Sequence, residues 1–246
     1  MKGFASAVKT LTAIPFPGRG EEDLASSLYW FPLVGTLLGA ILFSLTWSWA
    51  KLGGDGWPGG AAGLMILVEV WLTRGLHLDG LSDWADSLGA VKKGREERLA
   101  ILKDVHTGVF GVVAVVLALL LRFVAYKRLI QVGEAAWVIP AMIYSRTAMV
   151  ELAATLPYAR EKAGMGSPFV HGAGPGHRLG AWLMAFFICL PFAPLAPVLL
   201  LATWIGCILI RRRYLASFGG ITGDLLGTAG ELVQISALLL IGLWRG

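Results

Sequence analysis

The chain has 246 residues, of which 56% are hydrophobic and only 15% charged, and its mean hydropathy is +0.69. Soluble domains are about 45–50% apolar even when glycine is counted, so this composition excludes an ordinary soluble domain and predicts an integral membrane protein. The net charge of +5 does not indicate a nucleic-acid partner, because membrane topology explains the basic residues better.

The N-terminal residues predict a short interfacial helix rather than a cleaved signal. Phe4, Val8 and Leu11 fall on one helical face, and Lys2 and Lys9 flank that face. Lys9 also interrupts the apolar run that a signal peptide would need. We therefore expect these residues to lie at the bilayer surface and to belong to the membrane domain.

Seven apolar segments follow, and several approach the roughly 20 residues that a bilayer crossing needs. They predict an all-α, polytopic transmembrane helix bundle of about six to seven spans, forming a single integral membrane catalytic domain over residues 1–246. The prolines at 191, 194 and 197 make 179–210 either a hairpin of two spans, which we prefer, or one kinked crossing. The segments are 29–50, 60–76, 109–125, 137–154, 179–190, 195–210 and 225–244.

The distribution of Lys and Arg predicts the sidedness of these spans. With a cytoplasmic N-terminus, fourteen Lys and Arg residues fall on the cytoplasmic side and four on the other side. This bias follows the positive-inside rule and places the 77–108 loop in the cytoplasm. The Arg triplet at 211–213 is most simply part of that signal, although it could also hold an anionic substrate.

The stretch LHLDGLSDWADSLG, residues 76–89, places Asp79, Asp83 and Asp86 four and then three residues apart. On a helix the three lie within about 60° of one another. Like charges at this spacing repel, and carboxylate oxygens suit a hard cation such as Mg²⁺, Mn²⁺ or Ca²⁺. A solvated helix face is the alternative. The other residues of this helix are largely apolar, so the narrow acidic stripe favours a metal site.

A second polar stretch, LKDVHTGVFG at 102–111, lies on the same predicted face of the membrane. It offers Lys103, Asp104 and His106 just before the third span, and its glycines allow close approach of a ligand or a neighbouring helix. Ordinary interfacial charges and helix packing would explain the same residues, and the stretch alone does not decide between these interpretations.

A third stretch, GGITGDLLGTAGE at 219–231, is a glycine-rich turn that runs into a helix, which suits a phosphate group. Asp224 and Glu231 are seven residues apart and share a helical face. Glu231 lies about two turns inside an apolar span, where an ionisable group is costly and usually functional. A glycine-rich hairpin with one capping aspartate is the alternative.

Carboxylates suited to a metal, a glycine-rich turn and basic residues on one membrane face together favour phosphoryl transfer. A cation-coupled transporter is the main rival, because buried carboxylates can carry the ion. A transporter should place its carboxylates near the middle of the membrane, whereas most of these lie at the cytoplasmic mouth, which favours an enzyme. Arg146 lies within a span, and Glu69 and Glu151 are both available as its partner.

These three stretches resemble the signature stretches of the adenosylcobinamide-GDP ribazoletransferases, also called cobalamin synthases. The resemblance extends in order to AIPFP (13–17), FPLVGTLLGAI (31–41), YSR (144–146) and YAREKAGMG (158–166), and thus covers nearly the whole chain. Any one motif alone would be weak, but three in the right order and spacing make the resemblance specific.

The resemblance implies an inner-membrane enzyme whose active site faces the cytoplasm. In that family a hydroxyl of α-ribazole, or of its 5′-phosphate, attacks the phosphate bonded to cobinamide in adenosylcobinamide-GDP. GMP leaves, adenosylcobalamin or its 5′-phosphate forms, and Mg²⁺ is required. The CDP-alcohol phosphotransferases use similar chemistry and remain an alternative. Homo-oligomerisation is left open.

Carried over by position, the resemblance implies roles for individual residues. The metal ligands would be Asp79, Asp83, Asp86 and Asp224, and the catalytic residues Asp86 (as general base), Asp83 and Lys103. The substrate contacts would be Arg146, Asp104, His106, Gly219, Gly220 and Gly223. The chain departs from the family at Arg74, Trp84 and Ser87, where a glycine, a small residue and a glycine are usual, so the shape of the pocket around the first motif is in question.

Overall fold

The computed structural model describes residues 2–17, 24–89 and 94–245, and within these ranges it contains helices and no strands. This confirms the predicted all-α class. Three of the counted basic residues, Arg19, Lys92 and Lys93, lie outside the described residues. The helices are α1 Lys2–Leu11, α2 Phe31–Trp49, α3 Pro58–Thr73, α4 Leu76–Gly89, α5 Arg95–Ile101, α6 Val109–Gln131, α7 Val138–Thr155, α8 Ser167–Gly172, α9 Pro175–Cys189, α10 Leu195–Phe218 and α11 Gly223–Trp244.

All seven predicted spans are helical, but they are not equally suited to cross a bilayer. Of the described residues, four helical segments are long and apolar enough, namely Leu24–Gly54, Val109–Gln131, Leu195–Phe218 and Gly223–Trp244, and the bent pair α3–α4 adds a fifth. Helix α7 is less apolar because it carries Arg146 and Glu151, and α9 has only 15 residues. The predicted six to seven spans are roughly compatible with this bundle.

Helix α7 forms the centre of the bundle. Nearly all of its residues are buried, and it contacts α2, α9, α10 and α11. Glycines let α2 come close: a Cβ at Gly35 would overlap the backbone of Met142, and one at Gly39 would overlap Ile139. The polar side chains of α7 therefore lie inside the protein rather than against lipid.

Helices α9 and α10 form the hairpin that we preferred over a single kinked crossing. Near its start, α9 places Arg178 against Glu151 in the last part of α7, with 2.6 Å between Nε and the carboxylate oxygen. At the other end of the hairpin, the Tyr144 hydroxyl donates to the carbonyl of Ala196 at the start of α10. The two helices thus form an antiparallel pair along α7, joined by a proline-containing turn.

The chain bends by 89° between α3 and α4, so α4 does not continue the direction of α3. Arg74 and Gly75 make the bend with φ of 55° and 63°. The left-handed conformation is unfavourable for arginine. The Arg74 guanidinium compensates by donating to the carbonyls of Lys9 and Thr12, which ties the C-terminal end of α1 to the bend.

Candidate active site

The site is built where α4 crosses the beginning of α11. A Cβ at Gly80 would overlap the carbonyl oxygen of Asp224, so glycine is required for the two helices to come this close. The Thr228 hydroxyl contacts the carbonyl oxygens of both Gly80 and Asp224, at 2.8 and 2.9 Å. One turn earlier on α4, the backbone of His77 lies against Gly227. The first two turns of α11 are therefore held directly against α4.

This crossing brings together the four aspartates predicted as metal ligands. Asp79, Asp83 and Asp86 come from α4, and Asp224 comes from the first turn of α11. Burial, and then the negative charges of Asp79, Asp224 and Asp86, raise the pKa of Asp83 to about 7. The carboxylates are thus close enough to repel one another, and a cation bound among them would be stabilised.

Asp86 is already engaged by the backbone. One of its carboxylate oxygens accepts a hydrogen bond from the amide of Gly108 at 2.7 Å, and the other accepts from the amide of Gly111 at 2.8 Å. These amides lie at the N-terminus of α6, where helical N–H groups lack partners within the helix. A Cβ on either glycine would overlap the Asp86 carboxylate. The observed role of Asp86 is to join α4 to the start of α6.

Arg160 supplies a positive charge next to the acidic cluster. Its Nη2 atom lies 3.0 Å from Oδ2 of Asp224 and 3.1 Å from the carbonyl of Leu102. The first contact is a partly buried ion pair, and the second holds the loop before α6. Arg160 belongs to the YAREKAGMG stretch, to which the sequence assigned no role. It thereby connects the acidic cluster to the loop that carries Lys103.

The loop residues Lys103, Asp104 and His106 are exposed. The Asp104 carboxylate accepts from the backbone amide of His106 at 3.0 Å and lies 2.7 Å from the imidazole Nδ1 of the same residue. These hydrogen bonds lower the pKa of Asp104. The pair therefore shapes the loop that leads into α6, and the substrate contacts assigned to these three residues remain predictions.

The glycine-rich turn at 219–223 packs against two neighbouring segments. Gly219 has a φ of 68°, and a Cβ there would overlap the guanidinium of Arg95. A Cβ at Gly220 would overlap the carbonyl oxygen of Pro157, and the amide of Ile221 donates to that same oxygen at 2.9 Å. Close packing therefore accounts for Gly219 and Gly220, and the phosphate contacts predicted for them and for Gly223 remain predictions.

Arg146 lies in a buried polar network inside the bundle, where α3, α6, α7 and α11 meet. Neither of its two predicted carboxylate partners bonds to it: Glu69 bonds to Arg122, and Glu151 bonds to Arg178. Arg146 instead donates to the Ser145 hydroxyl and to the side-chain oxygen of Gln234. Its exposed fraction is 1%, and its assignment as a substrate contact remains a prediction.

The same network contains Glu231, the acidic residue predicted to be functional within the last span. Its carboxylate pairs with the guanidinium of Arg122, which also lies 3.1 Å from a carboxylate oxygen of Glu69. The hydroxyl of Tyr126 donates to Glu69 at 2.7 Å. Two carboxylates thus share one guanidinium in the membrane interior, where unpaired charges are costly.

The donor chemistry of the acidic cluster fits Mg²⁺, because carboxylate oxygens are its preferred protein ligands. Within residues 2–17, 24–89 and 94–245, no three His, Cys, Asp or Glu side chains are grouped so that they could hold an ion by themselves. Mg²⁺ commonly keeps several waters and binds one or two carboxylates together with substrate phosphates. Two of these aspartates would therefore suffice as the protein part of such a site.

Sequence reasoning missed Arg160, Gly80 and Thr228 as parts of this site. The signal for Arg160 was a basic residue in a polar loop on the same predicted membrane face as the aspartates. Gly80 and Thr228 gave no separate signal, because the close crossing of α4 and α11 depends on contacts between residues 148 positions apart.

The fold and the site define a polytopic membrane protein with a carboxylate-rich site at one end of its helical bundle. The chain belongs to the cobalamin-5-phosphate synthase family, whose model matches residues 3–242. No solved structure matches the chain.

Curated relatives carry the name adenosylcobinamide-GDP ribazoletransferase. The chain is 40% identical to the protein of that name from Chlorobaculum tepidum, over 99% of this chain and 96% of the relative. It is 37% identical to that from Chlorobium phaeobacteroides, over 96% and 95% of the two chains. It is 35% identical to that from Syntrophobacter fumaroxidans, with the same coverage of 96% and 95%. The predicted family is therefore confirmed.

Proposed function

We propose that this protein is an inner-membrane adenosylcobinamide-GDP ribazoletransferase whose active site faces the cytoplasm. The observation that carries the proposal is the identity of 34–40% to proteins of that name over nearly their whole lengths. The gathering of Asp79, Asp83, Asp86 and Asp224 at one end of the bundle supports it. The substrates are adenosylcobinamide-GDP and α-ribazole or its 5′-phosphate.

The reaction is a phosphoryl transfer. The oxygen of a ribazole hydroxyl forms a bond to the phosphorus that is attached to cobinamide, the bond from that phosphorus to the bridging oxygen of the diphosphate breaks, and GMP leaves with the electron pair. The proton of the attacking hydroxyl passes to a carboxylate. Asp83 is better placed for this step than Asp86, because both oxygens of Asp86 already accept backbone hydrogen bonds.

Mg²⁺ would be held by two aspartates of the cluster, Asp79 and Asp224, with Asp83 and Asp86 beside them, and would neutralise the charge on the diphosphate oxygens. Arg160 is placed to add a fixed positive charge, because its guanidinium lies at Asp224. Lys103 follows Leu102, whose carbonyl Arg160 holds, and we assign Lys103 to a substrate phosphate on that side.

The transporter alternative receives less support. The membrane-embedded carboxylates Glu69 and Glu231 are both paired with Arg122, and Arg146 joins the same network through Gln234, so two guanidinium groups of the protein balance the two carboxylates. A carrier of cations needs carboxylates that exchange their counter-ion during transport. A CDP-alcohol phosphotransferase would use the same acidic cluster, but the relatives of this chain carry a different name.

The test is a nucleotide-release assay with the purified protein in lipid nanodiscs. GMP should appear when adenosylcobinamide-GDP, α-ribazole and Mg²⁺ are all present, and omission of any one should abolish release. CDP-alcohol substrates should give no CMP. Release of CMP, or uptake of a labelled cation into proteoliposomes without any release of GMP, would overturn the proposed function.

A further inference from the structure

A groove of about 520 Å³ opens between α4 and α6, directly beside the acidic cluster. Its volume lies within the range of about 300–1,000 Å³ that is typical of small-molecule sites. One wall is formed by Leu76 and Leu78 of α4, and the other by Val115 and Val116 of α6. The groove is therefore apolar over most of its length.

One part of the groove is polar. Asp79, Ser82 and Thr107 line it, and Asp79 belongs to the acidic cluster. Ser82 is 5% exposed, and its hydroxyl has no hydrogen-bond partner among the residues that the structure describes. A buried hydroxyl without a partner is costly, so a ligand with hydroxyl groups would be favoured at this point.

We propose that this groove binds the acceptor nucleoside, with its base between the leucine and valine walls and its ribose directed towards Asp79 and Ser82. This inference rests on the proposed function. The base of α-ribazole is an uncharged dimethylbenzimidazole, which is flat and apolar and offers few hydrogen-bonding groups. The walls of the groove match that chemistry, and its polar end leads the ribose hydroxyls to the carboxylates that accept the proton.

A lipid chain is the rival occupant, because Val112 and Val116 are half exposed on the outer surface of α6. An acyl chain would satisfy the apolar walls, but it would leave the Ser82 hydroxyl without a partner and would place apolar carbon against Asp79. A nucleoside satisfies both parts of the groove. Arg74 also lines the groove, with its guanidinium held by the carbonyls of Lys9 and Thr12.

Two valines of α6 offer a matched test. Val116 lines the groove and Val113 does not, yet each is 48% exposed. Val116→Trp should fill the groove and raise the KM for α-ribazole at least tenfold, with the KM for adenosylcobinamide-GDP unchanged. Val113→Trp should match the wild-type protein in both constants. Ser82→Ala removes only a hydroxyl that has no hydrogen-bond partner within the described part of the chain, and it should raise the KM for α-ribazole severalfold without changing the donor KM.

The outcomes separate the two proposals. Absence of GMP release from the wild-type protein would contradict the proposed function itself. GMP release with the same acceptor KM in the Val116→Trp and Val113→Trp proteins would contradict only the assignment of the groove to the acceptor. A change in co-purified lipid in Val116→Trp without a change in acceptor KM would assign the groove to lipid and would also overturn it.

Discussion

The Thr228 hydroxyl donates a hydrogen bond to the carbonyl oxygen of Gly80, 2.8 Å away, and so joins α11 to α4. This contact lies between Asp79 and Asp83 on one helix and one turn from Asp224 on the other. The spacing of the aspartates therefore depends on how closely the two helices cross. Because Gly80 has no side chain, that distance is as short as the backbones allow.

Gly80→Ala should separate α4 from α11 and strongly reduce activity. The new methyl group would overlap the carbonyl oxygen of Asp224, and overpacking of this kind typically costs about 1–3 kcal/mol. GMP release should fall at least tenfold and the thermal midpoint should decrease. Gly206→Ala on α10 is the control, because a Cβ there meets open space and alanine is the better helix former. Equal activity in the two variants would contradict the importance of the crossing.

Asp83→Asn should abolish GMP release while leaving the protein folded. The amide preserves the shape of the side chain, but it cannot accept the proton from the acceptor hydroxyl and is a poorer ligand for a hard cation. Asp55→Asn, an exposed carboxylate in the loop before α3, is the matched control and should retain full activity. Monodisperse elution with an unchanged thermal midpoint would establish folding. Full activity in Asp83→Asn would remove Asp83 from the site.

Asp86 has a different role from Asp83, and two substitutions separate them. Asp86→Ala removes the acceptors for the amides of Gly108 and Gly111, and loss of such a cap costs about 1 kcal/mol. Asp86→Asn keeps one acceptor oxygen and should retain a substantial part of the activity, unlike Asp83→Asn. A well-folded Asp86→Asn protein without any GMP release would instead support the prediction that Asp86 is the general base.

The helical bundle was predictable from the sequence because each span is a local feature, an apolar run of residues bounded by charges or glycines. The bend at Arg74 was not predictable, since arginine rarely adopts a positive φ. The acidic cluster was predictable on α4 because helical spacing alone brings Asp79, Asp83 and Asp86 together. The hydrogen bonds that engage Asp86 come from another helix, and no local pattern indicates them.

The partners of the buried charges could not be predicted from the sequence either. Glu69 and Glu151 were equally suitable partners for Arg146, because both lie in apolar segments. In the structure Glu69 pairs with Arg122 and Glu151 pairs with Arg178, because the packing of α3 on α6 and of α7 on α9 decides which groups meet. Such pairings depend on tertiary contacts between distant segments.

Arg160→Gln should reduce activity about 100-fold, a typical effect of removing one preorganised charge or donor from an active site. It removes the positive charge beside Asp224 and weakens the hold on the Leu102 carbonyl. Arg160→Lys keeps the charge but lacks the guanidinium whose Nη2 atom contacts both groups, and it should recover only part of the loss. Arg213→Gln, an exposed residue of the triplet, is the control and should leave GMP release unchanged. An active Arg160→Gln protein would exclude Arg160 from the site.

Arg122→Met should destabilise the bundle far more than Lys127→Met on the same helix. Without Arg122, the carboxylates of Glu69 and Glu231 remain buried without their cation, which costs about 3–5 kcal/mol. Lys127 is exposed, and substitution there should change stability by no more than about 0.5 kcal/mol.

The double variant Arg122→Met, Glu231→Gln tests whether this ion pair serves structure rather than chemistry. It removes one guanidinium and one carboxylate and leaves Arg146 and Glu69 as opposite charges in the network, so the thermal midpoint should recover most of the loss, and GMP release should recover with it. Thermal midpoints in nanodiscs and the release assay measure the two effects separately. Recovery of stability without recovery of activity would show that at least one of the two removed charges takes part in the reaction.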